Sequence, residues 1–111
     1  MKPNCGNVLQ FKRGHAVCVG YDDKRPMFVF VMPPSDETRH RADITLGLMQ
    51  HVTSGLHPDS RFRCVIRPIS VHGTLVGELG HSAMAAILAG CELEAEAQRF
   101  EANNERRRAA V

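Results

Sequence analysis

Arg61, Arg63 and Arg67 alternate with Phe62, Cys64 and Ile66, so a strand through this stretch sets three guanidiniums on one face and three apolar side chains on the other. Guanidinium forks match phosphate and carboxylate oxygens, and with Lys12 and Arg13 they make a candidate surface for an anionic partner, nucleic acid included. The bland reading is a solvated strand face with Arg67 paired to Glu78. Charge is distributed in its favour and against it. Residues 1–34 carry +3 and 61–80 carry +2, while 35–60 carry −2 and 81–111 carry −1, leaving a net +2 over the chain. That total is too balanced to grip a long duplex, and five Phe, one Tyr and no Trp supply little stacking surface for single strands.

The remaining chemistry-bearing residues form weaker patterns. Six histidines are spread along the chain; His40 and His51, eleven residues apart on a predicted helix, would lie about 16 Å apart, too far to share a metal. Cys5, Cys18, Cys64 and Cys91 contain no CxxC pair and read as small buried hydrophobes. Gly73, Gly77 and Gly80 before His81-Ser82 lack the lysine and spacing of a phosphate loop, and turn and cap geometry accounts for them. No GxSxG or comparable nucleophile motif occurs. An enzyme would need a pocket joining His57 or His81 to Cys64 or Ser82. No catalytic residue, metal or cofactor is assigned, and the expectation is a non-enzymatic protein.

The elements that position these residues follow from periodicity. Val8–Phe11 and His15–Tyr21 predict a hairpin whose Arg13-Gly14 turn sets Phe11 against Ala16 and Leu9 against Cys18. Met27–Met32 is apolar at every position, as in a central strand covered on both faces. Ile44, Leu48, Val52 and Leu56 recur at i+4, which predicts an amphipathic helix over 36–54, ended by Gly55 and Pro58. Arg61–Ser70 and Thr74–Leu79 predict a second hairpin about His72-Gly73, with Ile69 facing Val76, Arg67 facing Glu78 and Ile66 facing Leu79; Pro68 weakens it. The segment from His81 onward predicts a helix with Met84, Ile87, Leu88, Cys91 and Ala95 as one stripe, and Gly90 as a candidate kink.

That last helix carries a second stripe. Ala86, Ala89, Leu93, Ala97 and Phe100 fall on the opposite side, with 86, 93 and 100 at heptad spacing. A helix apolar on two sides is sandwiched or paired with another chain, and a domain of 111 residues has little room for a sandwich. The predicted fold is a single α+β domain over 1–111. It is two-layered, with a mainly antiparallel five-stranded sheet, two helices and the order β-β-β-α-β-β-α; residues 101–111 read as a fraying end or tail. This order resembles small two-layer α+β binding modules that dimerise through a helix or a strand, a likeness of architecture alone. With no apolar run long enough for a secretory signal or a membrane span, the expectation is a cytoplasmic protein without a membrane partner. Its expected role is that of a regulator, adaptor or inhibitor acting through protein–protein interaction, as a homodimer or with another protein. Phosphate-backbone binding through the arginine face is the alternative, and a small enzyme the third reading.

Overall fold

In the computed structural model, which describes residues 2–110, Phe11 and Gly14 pair across a two-residue Lys12-Arg13 turn, joining β1 (Asn7–Phe11) and β2 (Gly14–Asp22) into the expected hairpin. Leu9 faces Ala16 rather than Cys18, a slip of two residues from the predicted register. Side chains alternate with period two, so such a slip changes partners but not faces. Leu9, Ala16 and Cys18 still cluster together, with Phe11 beside them.

β3 (Arg25–Met32) pairs with β2 on one side and with β5 (Arg61–Pro68) on the other, as its unbroken apolar run requires. Val29 and Val31 point into one cluster and Phe28 into another, so both faces of β3 are covered. The sheet has six strands in the order β4-β5-β3-β2-β1-β6, where β4 is Asp43–Thr45 and β6 is Thr74–Glu78; every pairing is antiparallel. One helix, α1 (His81–Ala109), packs against β5 and β4. The fold is therefore α+β, with one strand more and one helix fewer than predicted.

Both changes have a physical reason. The predicted helix over 36–54 is replaced by β4, a 3-10 turn at Leu48–His51 and connecting loop. Its i+4 stripe is split: Ile44 and Leu56 pack partly against the core, Leu48, Met49 and Val52 are exposed, and Ala42, Leu46, His51 and Ser54 are buried. Strand pairing sets Ile44 opposite Phe62 over the core, a tertiary contact that local periodicity does not encode. The second predicted hairpin is also absent. β5 has β3 on one edge and β4 on the other, leaving β6 no place beside it; the chain crosses the sheet after Pro68 and β6 adds to β1, with Glu78 opposite Asn7 rather than Arg67. Residue 53 then runs along β6, Thr53 Oγ1 donating to the Glu78 carbonyl (2.8 Å) and Glu78 N–H to the Thr53 carbonyl (2.9 Å).

α1 lays Ala83, Met84, Ile87 and Cys91 on the sheet's first face, against Val8, Val17, Phe62 and Cys64. Gly90 does not kink it; the helix is continuous over 29 residues. A Cβ at position 90 would stand 2.8 Å from Cys64 Sγ, so glycine is what lets helix and strand approach this closely. Beyond Glu94 no residue of α1 is buried, although the helix runs for another four turns.

Candidate functional site

The strand period holds for the arginine row. Arg61 lies opposite Met32, Arg63 opposite Phe30 and Arg67 opposite Phe28, all on the second face of the sheet, away from α1. What the sequence did not show is their partner. Asp43, brought beside Arg63 by β4, takes Arg63 Nε at 2.8 Å and Arg61 Nε at 3.3 Å. Arg61 is 4% exposed and also donates through Nη2 to the carbonyls of Asp36 and Thr38, each at 2.8 Å. Burial by itself would raise the Asp43 carboxyl, but the hydrogen bonds from Arg63 and Arg61 outweigh it and hold that group below the ordinary carboxylate range. These two guanidiniums clamp the 36–45 segment onto the sheet. Of the predicted anion surface, Arg67, Lys12 and Arg13 remain exposed, and Lys12 and Arg13 sit in the turn after β1, which is three strands from β5.

The outward stripe of α1 stands as the heptad spacing predicts. Leu93 is 69% exposed and Phe100 67%; Ala86 and Ala89 are exposed and Ala97 half-buried. The inner stripe differs slightly, since Leu88 and Ala95 are exposed and Glu94 is buried in their stead. Glu94 is held by Arg41, whose Nε lies 2.6 Å from Oε1 and whose Nη2 reaches Glu101, so the loop before β4 straps the helix.

A concavity of about 670 Å³ opens on the sheet's second face, where residues 68–73 cross it. Leu9, Phe28 and Ile69 make its floor and Lys2, Lys24 and Arg25 stand at its rim. The connection passes so close to Phe11 that a Cβ at Gly73 would sit 2.7 Å from the ring. Sequence reasoning missed this site, because its walls come from a crossover that the pattern had folded into a hairpin.

Three of the residues an enzyme would need are held in separate surroundings. Cys64 is buried against α1, where a hydrogen bond with Cys91, and burial after it, push its thiol up; Ser82 Oγ accepts from Gln50 Nε2 at 2.8 Å; His57 Nδ1 accepts from Asp59 N–H at 3.0 Å in an exposed loop. Gly80, not Ser82, caps α1, without a side-chain bond. His40 and His51 share no helix, and among the described residues no three His, Cys, Asp or Glu side chains gather as metal ligands. His51 is buried, stacked on Phe62 at 5.8 Å, with Nδ1 3.3 Å from Ser54 Oγ and Nε2 without a partner. Among the described residues no helix is long and apolar enough to cross a membrane. No protein-family model matches the chain, and no curated protein matches it in sequence.

Proposed function

We propose that this chain is a small non-enzymatic binding protein, a regulator, adaptor or inhibitor that works by protein–protein contact through the outward face of α1. The observation that carries this reading is the exposure of Leu93 and Phe100, one heptad apart, on the side of the helix turned away from Ile87 and Cys91. A large aromatic and a leucine in one row on a helix that overhangs its sheet are the anchors a partner helix or groove takes up at i, i+3, i+4 and i+7. The flanking charges favour an antiparallel arrangement: Glu92 and Glu96 precede Phe100 and Arg106, Arg107 and Arg108 follow it, so a second copy running the other way sets acid beside base.

The test is the solution mass of the wild type and of Leu93→Glu with Phe100→Glu, by sedimentation and light scattering, alongside capture of partners with and without nuclease. The expected result is a wild type at twice 12.3 kDa or in a nuclease-resistant complex, and a double variant that loses the association with its circular dichroism unchanged. Association that survives both substitutions rejects this face as the contact. Partners that vanish with nuclease shift the function to the remaining exposed cations.

A further inference from the structure

We infer that the concavity on the helix-free face of the sheet is a binding site for a small apolar carboxylate. Its volume, about 670 Å³, lies in the roughly 300–1,000 Å³ range of small-molecule sites. The floor is apolar: Leu9 and Phe28 from neighbouring parts of the sheet, and Ile69 from the crossing connection. The walls are held in place before any ligand arrives. Tyr21 Oη donates to the Pro3 carbonyl at 2.6 Å, and Phe28 packs edge-on against Phe11 with centroids 5.7 Å apart.

The charge at the mouth selects the ligand's sign. Lys2, Lys24 and Arg25 line the site and no aspartate or glutamate does. Asp22 and Arg25 pair across a two-residue turn in which Asp23 takes φ +59°, a geometry that carries Lys24 to the tip beside them. Of the two aspartates of this turn, Asp22 lies 3.3 Å from Arg25; both side chains are two-thirds exposed, so the pair is weak and open to exchange for a ligand oxygen. A polar, multiply charged ligand would leave the floor facing water, and a neutral hydrocarbon would leave the cations unanswered. An acid with one carboxylate and an apolar body answers both. This site is separate from the α1 stripe, and its test does not depend on the association state.

Titration calorimetry and backbone amide chemical shifts, with decanoate and naphthalene-1-carboxylate as chain and ring probes and decan-1-ol as the uncharged control, decide the matter. The expected result is saturable binding of at least one acid, with shifts centred on Leu9, Tyr21, Phe28 and Ile69. Decan-1-ol should bind about tenfold more weakly or worse, the weight of one charge-assisted hydrogen bond. Lys24→Glu with Arg25→Glu, both surface changes, should cost the acid a similar factor while leaving the amide spectrum folded, and Ile69→Glu should abolish binding from the floor. The inference is overturned if neither acid saturates, if decan-1-ol binds as tightly as decanoate, or if the charge-reversed protein keeps the wild-type affinity.

Discussion

The two faces of the sheet are closed by different means. On the first, a continuous helix satisfies its own backbone hydrogen bonds and covers the sheet by packing, with Arg41 pinning Glu94 at its far end: Ile87 and Cys91 settle among Val17, Phe62 and Cys64, and Gly90 brings the helix to within contact of β5. On the second, the cover is irregular chain, whose carbonyls need donors from elsewhere. Arg61 supplies them to Asp36 and Thr38, and Arg63 supplies one more to Thr38 at 3.0 Å. A helix covers a sheet by packing, whereas a loop covers it only with a polar network beneath. That network holds a carboxylate below its ordinary range, so the second face carries an acid-sensitive element, and beyond the end of the network at Arg63 the surface turns concave around Pro68 and Ile69.

Removing Asp43 should break this contrast most severely. Asp43→Ala leaves the buried Arg61 without its counter-ion, a loss of about 3–5 kcal/mol, as large as truncating a core side chain on the helix face. Its sign with pH follows from the direction of its shift. A carboxyl held below its unfolded value stabilises fully above about pH 4 and loses that contribution as pH falls through the folded value; chemical denaturation in acid should show this limb in the wild type and not in Asp43→Ala. A variant as stable as the wild type would mean that the loop is held by something else.

Gly90→Ala probes the helix face. Alanine favours the helix by about 1 kcal/mol, but its Cβ would press on Cys64 Sγ, and overpacking costs about 1–3 kcal/mol. A net loss in melting temperature is expected, and Cys64→Ala in the same chain should remove most of it. A stabilised Gly90→Ala would show that helix and strand have slack.

His51→Phe should have the smallest effect and the opposite sign. Its Nε2 is buried without a partner, while a phenyl ring keeps the stack on Phe62, and Ser54 Oγ keeps its bonds to the His51 carbonyl and the Leu56 N–H. A gain of about 1 kcal/mol is expected. Burial lowers the His51 pKa, with opposing contributions from Asp59 and His57, so the unfolded chain protonates first and stability falls as pH drops below about 6.5. In His51→Phe the titration curve of stability should flatten in that window; an unchanged slope would place the proton uptake on another group.

Periodic features of this molecule were legible in its sequence and convergent ones were not. The outward stripe of α1, the alternation along β5 and the doubly covered β3 each depend on residues within one element, where spacing alone assigns the face. The first hairpin kept its faces despite a register two residues off, for the same reason. Asp43 was unreadable as the partner of Arg61 and Arg63 because it lies 18 and 20 residues away, in a stretch whose i+4 apolar spacing imitates a helix. The carboxylate site was hidden further, since Lys2, Lys24 and Ile69 meet only because β5 has both edges filled and the chain must cross to reach β1.

An open sheet ends in two rows of unpaired backbone groups, which template fibrils and strand exchange. Here one terminal strand, β4, has only three residues, and the other, β6, already shares hydrogen bonds with Thr53. Neither border offers a long free ladder to a neighbouring molecule. Growth by sheet extension is thereby disfavoured at both ends, and assembly through side chains, which can specify a partner and a stopping point as a bare backbone cannot, is favoured.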